Sequence, residues 1–428
     1  MESSQDSSQN SSPVKKAWYR KLHWQTLIAM VLGVAVGVIF GEAVVPYVGW
    51  IGGLFVRAIK MVIVPLVMTS IISGVASLGS ASSVGRMFRK TLGYYALSST
   101  LAILVGLVVV NAIQPGAGLD RDRATVQEVP DVSSGGIEGL LFSMVPENPV
   151  AAAANGDMLA LILFSILFGV SIIALPDKPR DTLVNFFDAG FQAMMKLTGY
   201  VIIFLPLGVF GLLARAVGSA GLEVFQALGL YMLTVASGLT IHMFVVLPLL
   251  LFFLGGIKPH IHFRNMIEPL TTAFSTSSSG ATLPVTLRTV ERKVKVSNRV
   301  SSFVLPMGST VNMDGTALYE CAGVLFIAQA MGLQLGFTEQ AIVVLTALLA
   351  SIGAAAVPSA GLVIIFIVLD AVNLRGEEVN ALVGMMLAVD RPLDMFRTSV
   401  NIFSDSCGAA IIAKSEGETE VDAVVVDD

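Results

Sequence analysis

Residues Ser275–Pro284 read STSSSGATLP. The stretch is small, hydroxyl-rich and broken by glycine and proline, yet it interrupts an apolar part of the chain. A second stretch of the same kind, Ser351–Gly361, reads SIGAAAVPSAG. Each forms the tip of an apolar segment too interrupted to be a good membrane span, and each precedes a helix that carries charge. Irregular backbone facing lipid leaves amides and carbonyls unpaired, so such tips must be buried in protein or line a wet cavity. Interrupted segments in corresponding positions of two halves point to a transporter with its binding site near the bilayer midplane. Two re-entrant helical hairpins are predicted, the first entering from inside and the second from outside. Close helix packing by small residues would explain either stretch alone. It explains the pair less well.

The rest of the chain agrees with a membrane setting. It has 428 residues, 54% of them hydrophobic and 13% charged, with a mean hydropathy of +0.79. Soluble domains carry about 25% charged residues. Runs such as LTIHMFVVLPLLLFFL approach the roughly 20 residues that cross a bilayer as a helix. They do not alternate as barrel strands would. Cys321 and Cys407 lie in apolar surroundings and read as two buried thiols. The four histidines form no metal motif, and no serine sits in a nucleophile elbow, so an enzyme is not expected. The net charge of −5 decides little, and no nucleic-acid partner is expected.

Spans are predicted near 24–43, 48–78, 88–113, 155–175, 185–218, 225–256, 302–332 and 379–413. Lysine and arginine set their orientation. Lys15, Lys16, Arg20 and Lys21 precede the first span, and Arg86, Arg89 and Lys90 separate the second from the third. Lys178 and Arg180 follow the fourth, and Lys258 and Arg264 the sixth. Arg288, Arg292, Lys293, Lys295 and Arg299 stand before the seventh. A cytoplasmic N-terminus puts all of them inside, with both termini cytoplasmic and the 114–150 segment outside. The polar start, residues 1–20, and the end, residues 414–428, read as disordered cytoplasmic tails, and no cleavable signal peptide is expected.

The last span contains DRPLDMFRTSVNIFSDS. At about 100° per residue, Asp390, Asp394, Arg397, Thr398, Asn401 and Asp405 fall within an arc of roughly 100° on one helix face. Buried charge of this kind costs on the order of 2.5–3.5 kcal/mol per group. One arginine cannot neutralise three aspartates, so a cation is needed. The seventh span, STVNMDGTALYE, adds Asn312, Asp314, Thr316 and Glu320, and Gly315 weakens the helix there. These are hard oxygen ligands without sulfur or imidazole, which suits alkali or alkaline-earth cations. Arg397 has a planar fork for a carboxylate. Asp394, one turn earlier, could receive an ammonium. Glu320, in an apolar helix, is a candidate proton carrier, with a hydrogen-bonded structural glutamate as the alternative.

Taken together, AFSTSSSGATLP, NMDGTALYE, SIGAAAVPSAG and LDMFRTSVNIFSDS resemble the sodium:dicarboxylate symporter family. That family contains the excitatory amino-acid transporters and the archaeal aspartate transporters. FVRAIKMVIVPLV, GYYALSST and VPENPVAAAANGDML extend the resemblance across about residues 20–415. It implies an all-α homotrimer of eight transmembrane helices and two hairpins, built from inverted repeats. Scaffold regions would be 21–85 and 114–220; an elevator-like transport domain would comprise 86–113 and 221–413. Carried over by position, the substrate contacts would be Ser277, Ser278, Ser279, Met313, Thr316, Val357, Gly361, Asp394, Arg397, Thr398 and Asn401. One sodium ion would use Gly308, Asn312, Asn401 and Asp405. A second would use Thr310 with carbonyls of Ser351, Ile352 and Ala354. A third would use Tyr95, Ser98, Ser99, Asn312 and Asp314.

In this family an arginine at position 397 goes with acidic substrates, which favours L-aspartate or L-glutamate. TALYE resembles the animal members, where the matching glutamate is associated with proton coupling and potassium counter-transport; Glu320 inherits both expectations. Pro392 and Arg391 depart from the pattern, as does Ala356, where glycine is common. An additional arginine of the family is missing from its usual places, which hold Thr276 and Met395. C4-dicarboxylates and neutral amino acids are the alternative substrates, and a channel the alternative class. The expected setting is the cell membrane, crossed several times, with sodium as coupled cargo and no organic cofactor.

Overall fold

In the computed structural model, the described residues are 22–76, 84–117, 142, 144–155, 157–221, 223–352 and 360–422. Among them the secondary structure is helical. Helix α1 (Leu22–Phe40) ends at Gly41, whose φ of +54° opens a short 3-10 turn before α2 (Val45–Ala76). Then come α3 (Val84–Ile113), α4 (Pro149–Asn155) and α5 (Met158–Ile173). The expected fifth span is two helices, α6 (Asp177–Ile203) and α7 (Leu205–Ala220), bent by 51° around Phe204. The sixth is α8 (Glu223–Ile241) and α9 (Leu247–Gly255), joined by a π-helical turn at His242–Val246.

By length and hydropathy, Trp24–Ala76, Arg86–Ile113 and Phe225–Gly255 can each cross a membrane, and so can the bent α6–α7 pair taken together. Large apolar side chains such as Ile39, Phe40, Leu54, Val108, Phe252 and Phe253 stay exposed along these helices, as lipid-facing residues would.

The first hairpin is α10 (Pro259–Thr276) packed against α11 (Ser279–Thr289). A left-handed Ser277 makes the turn, and the Ser278 hydroxyl caps α11 by accepting from the Ala281 amide at 3.2 Å. The predicted seventh span is broken at Asn312–Met313 into α12 (Asn298–Val311) and α13 (Asp314–Ala330). The break falls just ahead of Gly315, which is itself helical. The second hairpin pairs α14 (Phe337–Ile352) with α15 (Ala360–Ala371). Its expected tip residues Ala354, Ala356 and Val357 lie outside the described residues. Helix α16 (Glu377–Ser415) continues unbroken across Pro392.

Packing divides the helices into two groups. In one, α1 and α2 lie on α7, and α2 also covers α5 and α6. Gly52 and Gly211 let α2 and α7 touch backbone to backbone: a methyl group on Gly211 would stand 2.7 Å from the Gly52 amide nitrogen. The other group surrounds α13, whose residues are buried without interruption from Asp314 to Ala328. Around it pack α3, α8, α14, α15 and α16, while α10 and α12 lie against α16. The largest single contact between the two groups is where α7 crosses α16, and α2 and α5 also touch the second group.

The expected C-terminal tail from 414 is corrected. Helix α16 runs to Ser415, and the next residues dock onto the same end of the α13 group. Glu416 takes hydrogen bonds from Arg86 (2.8 Å) and Lys90 (2.6 Å), and Glu418 from the Ser297 amide (2.9 Å). Asp422 lies 2.6 Å from His262 Nδ1, and its amide donates to the Val294 carbonyl at 2.8 Å. Fixed partners for Glu416, Glu418 and Asp422 offset the ordering entropy that the composition alone could not. The expected N-terminal tail and residues 423–428 lie outside the described residues.

Candidate substrate and cation site

The polar stripe predicted on α16 is buried along its length: Asp390, Asp394, Arg397, Thr398, Asn401 and Asp405 are all inside. Arg397 lies at its centre. Its Nη2 donates to Asp394 Oδ1 at 2.8 Å and Asp390 Oδ1 at 3.1 Å. The guanidinium also stacks over the Tyr319 ring, 3.8 Å from the centroid. Nε and Nη1 are buried and find no hydrogen-bond partner among the described residues. Gly361, at the start of α15, leaves the room around them; a methyl group there would come within 2.8 Å of Nη1. Thr398 donates to the Asp394 carbonyl of its own helix at 2.8 Å.

One helical turn further along α16 the stripe changes from ion pairs to a network of oxygens. Asn312, at the α12–α13 break, donates from Nδ2 to Asp405 Oδ1 and to Ser404 Oγ, each at 2.9 Å. Asp314, first residue of α13, accepts from Ser99 Oγ at 2.6 Å, Ser404 Oγ at 2.7 Å and Ser98 Oγ at 3.3 Å. His242 Nε2 lies 2.9 Å from the same carboxylate. Tyr95 donates to the Val304 carbonyl at 2.7 Å, and its hydroxyl stands beside Gly308 and Asp405. Asn401 accepts from the Gly315 amide at 2.8 Å and donates to Thr316 Oγ1 at 3.3 Å. Unwinding at Asn312–Met313 therefore places two helix ends, two carboxylates and several hydroxyls within one buried space. Among the described residues no group of three His, Cys, Asp or Glu side chains comes together as a transition-metal site would need. The donors are hydroxyl, amide and carboxylate oxygens, which suit a hard cation.

Other expected residues are less connected. Ser277 Oγ is buried without a partner among the described residues, and Ser279 is buried at the start of α11. Met313 is buried between α12 and α13. Among the described residues Thr310 and Ser351 bond to carbonyls in their own helices, those of Met307 and Leu348. Ile352 ends α14. Glu320, two turns into α13, is fully buried, and neither carboxylate oxygen has a hydrogen-bond partner among the described residues. Cys321 and Cys407 are buried and free.

Two members of the network were not expected from sequence. Ser404 lies about 20° outside the predicted arc on α16, by the same 100° arithmetic; its place one turn past Asn401 was the available signal. His242 gave no signal, because the π-helical turn that swings it toward Asp314 has no mark in LTIHMFVV.

Comparison with known proteins follows the same residues. Residues 22–415 match the model of the sodium:dicarboxylate symporter family. The mouse excitatory amino acid transporter 3 is 37% identical over 93% of this chain and 87% of its own length. The proton/glutamate-aspartate symporter of Escherichia coli (strain K12) is 36% identical, covering 92% and 93%. The proton/sodium-glutamate symport protein of Bacillus caldotenax is 33% identical, covering 93% and 95%. These relatives are transporters, and a match along nearly the whole chain carries the buried α16 stripe with it: the chain belongs to the sodium:dicarboxylate symporter family, multi-pass membrane transporters and not enzymes.

Proposed function

We propose that this chain is a secondary active symporter that takes up L-aspartate or L-glutamate together with sodium. One observation carries the reading. Arg397 is 1% exposed, its Nη2 is held by two aspartates, and its Nε and Nη1 have no protein acceptor among the described residues. Buried guanidinium N–H groups without acceptors are expensive, and a ligand carboxylate is their natural complement. Asp394, one turn away, receives the ligand ammonium. Thr398, Asn401, Thr316 and Met313 border the same space, with Ser277–Ser279 and Gly361 supplied by the hairpins. The names of the relatives, an excitatory amino acid transporter, a glutamate-aspartate symporter and a glutamate symport protein, support the substrate class.

Sodium is cargo in this reading. Asp314 and Asp405 are the two carboxylates of the oxygen network, and a bound cation neutralises what Arg397 leaves over. Tyr95, Ser98, Ser99, Asn312, Asn401 and the Gly308 carbonyl complete those sites. By the family resemblance, Thr310 with the Ser351, Ile352 and Ala354 carbonyls would form another. Among the described residues Glu320 has neither ion pair nor hydrogen bond, which suits a group that takes up a proton or a counter-ion, the behaviour required for proton coupling and potassium counter-transport. The α13 group of helices is the moving domain of an elevator and the α1–α2–α5–α6–α7 group its scaffold; their separate packing supports this division. The homotrimer and the cytoplasmic termini rest on the family resemblance and the lysine and arginine pattern.

The test is uptake of labelled L-aspartate and L-glutamate into proteoliposomes, with external sodium exchanged for choline and internal potassium for choline. Sodium-driven accumulation that disappears in Arg397→Ala is expected. Accumulation of succinate or fumarate with neither amino acid taken up would replace this reading with C4-dicarboxylate transport.

A further inference from the structure

We propose that Arg391 is a specificity-determining residue of this site: it occupies the ammonium position on Asp394 when no amino acid is bound, and so admits ligands that lack an ammonium. The proposal rests on the acidic amino-acid reading above. Asp394 uses its two oxygens differently. Oδ1 accepts from Arg397 at 2.8 Å, while Oδ2 faces Arg391 Nη1 at 3.5 Å. The Oδ1 partner is locked, with an Arg397 side chain 1% exposed, stacked on Tyr319 and shared with Asp390. The Arg391 contact to Oδ2 is loose: the Arg391 side chain is 33% exposed and the contact is longer than a hydrogen bond.

Charge balance gives this looseness a consequence. Asp390, Asp394, Arg397 and Arg391 sum to zero, so the substrate end of the stripe is neutral without a ligand. An incoming ammonium must displace Arg391 from Oδ2, and the freed guanidinium is exposed enough to swing into water. A C4-dicarboxylate brings no ammonium. It can bind to Arg397 while Arg391 stays on Asp394 and keeps that buried carboxylate from repelling it. Arg391 therefore opposes amino acids slightly and supports dicarboxylates. A partly exposed ion pair is worth up to about 1 kcal/mol, which corresponds to about a fivefold change in affinity.

The experiment measures the KM for L-aspartate uptake and inhibition of that uptake by succinate, in the full-length protein and in Arg391→Gln and Arg391→Lys. Wild-type uptake is expected to be inhibited by succinate. In Arg391→Gln the KM for L-aspartate should fall about two- to fivefold, while the succinate inhibition constant rises by a similar factor. Arg391→Lys, which keeps the charge, should stay near wild type. Calorimetric titration of both ligands into detergent-purified protein repeats the comparison where transport is slow. A purely structural role would move both ligands in the same direction, and that result overturns the proposal. So does a wild-type protein that succinate does not inhibit. Failure of the wild type to take up either amino acid would instead overturn the acidic amino-acid reading.

Discussion

Gly315 rests against the backbone of Arg397: a methyl group added to Gly315 would stand 2.8 Å from the Arg397 carbonyl oxygen and 3.0 Å from its Cα. This contact sets the spacing between α13 and α16, and hence between the cation network and the guanidinium. The Gly315 amide also donates to Asn401 at 2.8 Å, so a shift of α13 would pull on the stripe directly. Gly315→Ala is expected to destabilise the protein by about 1–3 kcal/mol through overpacking. Thermal unfolding in detergent measures that cost. Uptake should fall further than the loss of folded protein explains, because both binding regions lose their register.

Asp314 lies deep in the network, with Ser98, Ser99, Ser404 and His242 all facing its carboxylate. Asp314→Asn keeps the shape but removes the charge that a cation would balance. The sodium concentration for half-maximal uptake should rise at least about tenfold, the equivalent of one charge-assisted contact of about 1.5 kcal/mol. Ser404→Ala removes a donor to Asp314 and an acceptor from Asn312, and should raise it by a smaller factor. A sodium titration unchanged in both variants would remove Asp314 from the cation site.

Glu416 holds the start of α3 to the end of α16. Hydrogen bonds from Arg86 and then Lys90 pull its carboxyl from an ordinary value near 4.5 down to about 2. A folded-state value below the unfolded one means that stabilisation is complete above about pH 4.5 and disappears as pH falls toward 2. Glu416→Gln should therefore unfold at a lower temperature than wild type at pH 7. The difference should shrink steadily below pH 4.5. Melting curves across that range check the sign, and a gap that widens on acidification would contradict it.

What the sequence revealed of this molecule follows the range of the forces involved. The α16 stripe was legible because helical periodicity is local, and its six polar residues are buried together as the 100° spacing requires. The turn at Ser277 was legible as an interruption because bare backbone in lipid is forbidden whatever surrounds it, whereas the tip of the second stretch lies outside the described residues. The break in the seventh span was anticipated at Gly315 but falls at Asn312–Met313. Gly315 stays helical because its missing side chain serves the approach to Arg397, a tertiary demand. The docked C-terminus was missed for a related reason: KSEGETEVD has the composition of a solvated tail, and its partners Arg86, His262 and Ser297 lie more than a hundred residues earlier. His242 and Arg391 acquire meaning only from their distances to Asp314 and Asp394.

Glu320 is the one carboxylate of the proposed site for which no partner is found among the described residues. Asp394 and Asp390 have Arg397, Asp405 has Asn312, and Asp314 has a ring of hydroxyls. A carboxyl without such support changes its proton or counter-ion occupancy when its surroundings move, and the cost of an unpaired buried charge drives that exchange. Gln has nearly the same shape and cannot ionise, so Glu320→Gln should fold as wild type does and still bind substrate. Its uptake should lose dependence on external pH and on internal potassium, whereas the wild type responds to both. Proteoliposome uptake at two external pH values, with potassium or choline inside, reads this directly. A wild type insensitive to both would make Glu320 a structural residue and leave sodium as the sole driving ion.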